Sequence, residues 1–219
     1  MMIPYKRHDL VWLSDEGRDY ALSNIQNCIP IMDDKEMEAL IAGFPAIPAI
    51  VRKQDKPEDE LLCIGFSFPK IIDGVRLRIG CKVPPDCIVK HITPFDAIKY
   101  RTGNLPNSVV MEALSDAGDK YNIQVGCFGS AALQLVTGLS YWHKDSDLDI
   151  YLRHDGDRQD LERFFELLLQ CEKQFGVTID VEIECLGQYG VKIKELFGPG
   201  NLVLGKGLYD VALLKKAQI

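Results

Sequence analysis

Asp147 and Asp149 stand one residue apart in Ser146-Asp-Leu-Asp-Ile-Tyr151, with Leu148, Ile150 and Leu152 interleaved. That alternation predicts a strand over 147–152, its aliphatic face against a core and both carboxylates on the opposite face. Like charges held side by side repel, so this strand makes sense where a divalent cation sits between the acids. Upstream, Tyr121–Phe128 reads as an apolar strand. Gly129-Ser130 then turns into a helix over 130–139 that buries Leu133, Val136 and Leu139. A helix start offers unpaired backbone N–H groups to phosphate oxygens, and Ser130 serves equally as a helix cap or a phosphate contact. An Asp-x-Asp alone is an ordinary strand start. Beside a phosphate seat it points to transfer of a phosphorus-containing group.

The downstream pattern supplies a further acid. Asp157–Phe175 reads as a long helix with Leu161, Phe164, Phe165, Leu168 and Phe175 as its apolar stripe, and Gly176 stops it. Val177–Cys185 then alternates, with Val177, Ile179, Val181 and Ile183 on one face and Thr178, Asp180, Glu182 and Glu184 on the other. A third carboxylate on a neighbouring strand can bridge a metal and accept a proton. Asp180 is the preferred candidate, although parity alone does not separate it from Glu182. Oxygen ligands without a nearby His–Cys cluster favour Mg²⁺ or Mn²⁺ over zinc. His143 and His154 flank the carboxylate strand and read as solvated loop histidines.

The rest of the chain frames this site. Helices packed on strands make the fold class α+β. Gly74–Cys81 alternates as a strand with Val75, Leu77 and Ile79 inward and Arg76 and Arg78 outward, after an apolar strand over 61–68. A helix is expected over 32–44, with Asp33 and Glu36 as its capping pair, and another from Asn107 or Ser108 to about Ala117. The turn-rich segment Tyr100–Pro106 divides the chain into an N-terminal substrate- or partner-binding module (1–104) and a catalytic domain (105–219). The first carries 14 basic and 15 acidic residues and the second 11 and 17, so the acidic excess lies with the carboxylates. A nucleic-acid partner would call for a basic excess, and none is expected. Arg76, Arg78, Lys82, Lys90 and His91 form the most basic stretch, either a solvated strand face or a dock for an acidic partner. No apolar run reaches bilayer length, and the first residues lack a signal-peptide core. Seven scattered cysteines without a Cys-x-x-Cys pair read as reduced thiols of a cytoplasmic protein with no membrane partner.

Gly129-Ser130, Asp147-x-Asp149 and Asp180 together resemble the nucleotidyltransferase superfamily shared with DNA polymerase β. Gly129-Ser-Ala-Ala-Leu-Gln-Leu-Val-Thr-Gly-Leu-Ser-Tyr141, the early Arg7-His-Asp-Leu-Val-Trp-Leu13 and the late Leu202-Val-Leu-Gly-Lys206 narrow the likeness. These segments are similar to the phosphoribosyl-dephospho-CoA transferases of malonate decarboxylase, the holo-acyl-carrier-protein synthases. The resemblance implies an N-terminal α/β module followed by a polymerase-β-like domain with a mixed sheet flanked by helices. It implies a 2′-(5″-triphosphoribosyl)-3′-dephospho-CoA donor, an acyl-carrier subunit as acceptor and pyrophosphate as leaving group. Asp147, Asp149 and Asp180 would be the catalytic, metal-binding acids, and Gly129, Ser130 and Lys206 would contact the phosphates. The rival readings are another nucleotidyltransferase, acting on a small molecule, protein or RNA, and a non-catalytic scaffold that binds the carrier.

Overall fold

The computed structural model describes residues 4–33, 35, 37, 47–56, 60–100, 103–105, 107–143 and 146–219. The helix expected over 32–44 falls largely outside them. By internal contacts the chain divides into two units, Met1–Thr93 and Pro94–Ile219. The turn-rich segment expected to separate domains lies within the second unit. Two of its described residues are fastened there: Gly103 N–H donates to the Leu135 carbonyl at 3.2 Å, and the Gln134 amide donates to the Asn104 carbonyl.

The first unit is a six-stranded antiparallel sheet. Its strands are β1 (Leu10–Leu13), β2 (Ile25–Ile29), β3 (Ala49–Val51), β4 (Leu62–Ile72), β5 (Val75–Val83) and β6 (Ile88–Ile92), in the order β2-β5-β4-β3-β1-β6. Helix α1 (Asp15–Ser23) follows β1, and the Ser14 hydroxyl caps it by accepting from Gly17 N–H at 3.1 Å. β4 and β5 form a hairpin through Asp73 and Gly74, both at positive φ (50° and 79°), as a tight turn between right-twisted strands requires. Leu77 and Ile79 are buried as the alternation predicts. Val75 is 43% exposed, because it pairs with Ile72 beside the turn, at the hairpin tip.

Asp9, from the early signature, is a buried anchor of this unit. Its carboxylate accepts from Lys6 N–H at 2.9 Å and sits 3.2 Å from His91 Nε2, and its own carbonyl accepts from Val51 N–H. Burial pushes its pKa up, and the Lys6 amide and His91 oppose that. The basic stretch is not a plain solvated face. Lys82 pairs with Asp55 at 2.6 Å, Lys90 lies 4.4 Å above the Trp12 ring, and Arg76 donates to the Phe68 carbonyl.

The second unit carries the site. Its elements are α2 (Pro94–Ala97), α3 (Ser108–Lys120), β7 (Ile123–Cys127), α4 (Gly129–Thr137), β8 (Leu148–His154), α5 (Arg158–Phe175), β9 (Ile179–Cys185), β10 (Tyr189–Lys192), α6 (Ile193–Leu196), β11 (Leu202–Lys206) and β12 (Val211–Lys215). The strands form one sheet in the order β12-β11-β10-β9-β8-β7. All pairings are antiparallel except β8 with β9, whose parallel pairing needs a crossover, and α5 supplies it. Antiparallel and mixed sheets with helices give the α+β class expected from the sequence.

Asp157 caps α5 by accepting from Gln159 N–H at 3.0 Å, and Gly176, at φ 62°, closes it in the left-handed region. Leu161, Phe164, Leu168 and Cys171 are its buried stripe. Fully burying a side chain such as Phe164 is worth roughly 2–3 kcal/mol. Phe165 instead stacks on Phe197 at 4.9 Å. Phe175 is 39% exposed, since it occupies the last turn, where the helix leaves the core.

Candidate active site

Register brings the acids together. In the parallel β8–β9 pair Asp149 lies directly opposite Asp180, and Tyr151 opposite Glu182. Ile150, Leu152, Ile179, Val181 and Ile183 fill the other face and are buried, so the aliphatic alternation fixes which way the carboxylates point. Asp147 is exposed and stands one residue before β8, after a turn in which His143 N–H donates to the Ser146 hydroxyl at 3.0 Å. Its charge nevertheless acts on Asp149. His154 lies at the far end of β8, where its ring Nε2 and the Asp157 carbonyl are 2.8 Å apart, and His143 is exposed.

The turn at Gly129 completes the geometry. Phe128 N–H donates to the Asp149 carbonyl at 3.1 Å, which lays the start of α4 beside β8. Gly129 has φ 62°, and a Cβ there would run into the Asp149 carboxylate. Glycine is required on both counts. The N-cap position is Phe128, so Ser130 is a residue of the first turn and not the cap. Among the described residues no side chain caps α4, and its first amides remain available to an anion.

Asp149 is the electrostatic centre. Burial first, then the charges of Asp180, Asp147 and Glu182, push its pKa up to about 7, with Lys192 opposing. Among the described residues no donor hydrogen-bonds its carboxylate. Asp180 has a partner: Lys192 Nζ donates to its Oδ2 at 2.8 Å, and that contact raises the lysine's pKa. Glu182 is buried and reaches over Gly190 to Lys206, its Oε1 3.6 Å from Nζ. A Cβ at Gly190 would lie 2.7 Å from Glu182 Oε2, so the glycine makes room for this pair.

Among the described residues no group of three or more His, Cys, Asp and Glu side chains closes into a metal cage. The donor set still fits a hard divalent cation in kind. It consists of carboxylate oxygens on adjoining strands, and Asp149 sits in a negative field of neighbouring acids that Lys192 only partly offsets.

Three residues escaped the sequence reading. Lys192 and Gly190 reach the acids only through the β9–β10 turn, whose length sets the register, and residue types do not reveal it. Gln134 sits inside the signature segment and ties two loops together. Its Oε1 accepts from Tyr141 N–H at 3.0 Å and Trp142 N–H at 2.7 Å, while its amide holds Asn104. Thr137 and Gly138 (φ 74°) end α4, and Tyr141 is fully buried, so the Thr-Gly-Leu-x-Tyr run steers the chain from α4 toward β8.

Comparison with known proteins covers nearly the whole chain. Residues 6–94 match the family model for the phosphoribosyl-dephospho-CoA transferase MdcG N-terminal domain, and 97–217 match its C-terminal domain. A phosphoribosyl-dephospho-CoA transferase of Xanthomonas euvesicatoria is 26% identical over 215 residues, spanning 97% of this chain and 95% of that one. Its counterpart in Bradyrhizobium diazoefficiens is 24% identical, with 98% and 92% covered. That of Pseudomonas syringae pv. tomato is 25% identical, with 91% and 86% covered. No solved structure matches the chain. With both domain models matched in order and relatives aligned almost end to end, this chain belongs to the phosphoribosyl-dephospho-CoA transferase family.

Proposed function

We propose that the chain transfers the phosphoribosyl-dephospho-CoA group from 2′-(5″-triphosphoribosyl)-3′-dephospho-CoA to a serine of the malonate decarboxylase acyl-carrier subunit. The observation that carries the reading is Asp149 opposed by Asp180 beside the uncapped start of α4. The serine oxygen forms a bond to the phosphorus nearest the ribose. The bond from that phosphorus to the bridging oxygen breaks, and pyrophosphate leaves. The serine proton passes to Asp180. The amides at Gly129 and Ser130 hold the departing phosphates, and Lys206 adds positive charge near them. Asp147, Asp149 and Asp180 would hold Mg²⁺ or Mn²⁺, which supplies charge compensation for the triphosphate and activation of the hydroxyl. The remaining contribution is alignment, the main source of rate in such transfers.

We place the reaction in the cytoplasm. All seven cysteines are free thiols, and no helix among the described residues is long and apolar enough to cross a membrane. The test is mass spectrometry of the carrier serine after incubation with donor and Mg²⁺, beside a parallel incubation with nucleoside triphosphates. Addition of the donor's mass less pyrophosphate is the expected result. Turnover of nucleoside triphosphates without use of the donor would move the chain to another nucleotidyltransferase activity.

A further inference from the structure

Among the described residues, Lys192 is the one cation in direct contact with the facing pair Asp149 and Asp180, through Asp180. It ends β10 opposite Glu182, and its ammonium sits 2.8 Å from Asp180 Oδ2. Its side chain is 37% exposed and that of Asp180 29%, so the pair lies at the surface of the sheet and can part without unpacking a core. Asp180 in turn faces Asp149, where oxygen ligands for a divalent cation lie. One carboxylate oxygen cannot be fully shared between an ammonium and a metal ion. An ammonium stripped of its carboxylate beside a polyphosphate takes the nearest anionic oxygen. Glu182 offers Lys192 little alternative, because Lys206 already reaches it.

We propose that Lys192 is an exchangeable counter-cation: it neutralises Asp180 in the metal-free protein and passes to a phosphate oxygen of the donor or pyrophosphate when a divalent cation takes the carboxylate. The idea rests on the metal-dependent reading above. It makes Lys192 a positioning residue for Asp180 and a ligand for polyphosphate.

The exchange predicts effects of opposite sign from one substitution. In Lys192→Met, Mn²⁺ binding followed by electron paramagnetic resonance should tighten about tenfold, the factor that 1.36 kcal/mol represents. Pyrophosphate binding to the Mn²⁺-saturated protein, followed by calorimetry, should weaken by a similar factor. Lys192→Arg keeps a cation and should stay near wild type in both. Lys206→Met removes a lysine that does not touch Asp180 and should tighten Mn²⁺ binding less than threefold, by roughly the screened effect of a more distant charge. A purely structural lysine would weaken both ligands on removal, and a general field effect would make the two methionine variants alike for Mn²⁺. Either pattern overturns the exchange, as does pyrophosphate affinity that does not fall. Lys192→Gln repeats the test should the methionine variant unfold. If the wild type binds no Mn²⁺, the metal reading itself fails. If the wild type binds it and Lys192→Met binds it no better, only the exchange fails.

Discussion

Asp149→Asn should make the protein more stable and inactive, and the size of the gain should depend on pH. In the folded protein the Asp149 carboxyl is pushed from its ordinary 3.8 up to about 7, burial being the first cause and the neighbouring acids the next. A carboxyl raised by folding binds its proton more tightly in the native state. Its ionisation therefore subtracts stability as pH rises through the window from 3.8 to about 7, and the full cost is reached above that. At 1.36 kcal/mol per pH unit the cost is roughly 1.5 kcal/mol at pH 5 and roughly 4 kcal/mol at pH 8. Asn removes the charge but brings an amide that needs partners, so a net gain of roughly 2 kcal/mol at pH 8 is the expectation. The gain should shrink as pH falls and vanish at about pH 5, where the cost of ionising Asp149 no longer exceeds that of the amide. Urea unfolding in EDTA, on a Trp12→Phe background, reads this directly. Trp142 is then the remaining tryptophan, buried in the unit that carries Asp149. Equal stability of the two proteins at pH 8, or a difference that does not shrink toward pH 5, would refute the electrostatic account. Near-normal transfer activity by the variant would remove Asp149 from the chemistry.

Gly129→Ala puts a Cβ against the Asp149 carboxylate at a positive φ, and should cost roughly 1–3 kcal/mol together with most of the activity. A thermal melt paired with a transfer assay checks it, and an unchanged melting temperature would contradict the geometry. Gln134→Leu strips the acceptor from the Tyr141 and Trp142 amides, for an expected loss of about 1–3 kcal/mol, read by Trp142 fluorescence in urea. Gly190→Ala should push the Glu182 carboxylate from its place near Lys206, and an altered lysine Nζ resonance on nuclear magnetic resonance titration would register the broken pair. Asp9→Ala leaves Lys6 N–H without its acceptor and should destabilise the first unit by roughly 1–3 kcal/mol, with Trp12 as the reporter in a Trp142→Phe background.

Much of this protein was legible in its residues. The switch between a two-residue and a helical apolar period placed β8, α5 and β9, because burial of one face is a local demand that each segment states for itself. Gly176 and Asp157 marked the limits of α5 by backbone requirements that belong to single residues. The same alternation put Asp149 on one face of its strand and Asp180 on one face of its own. Pairing lies beyond such local rules. Facing Asp149 with Asp180, and not with Glu182, takes a register that the α5 crossover and the shared aliphatic core set together. Lys192 and Gly190 enter only through the turn that aligns β10, and the segment around Gly103 reads as a linker until Gln134 and Leu135 hold it down. Side-chain chemistry is written residue by residue. Which charge meets which depends on distances across strands far apart in the chain, and only packing fixes those.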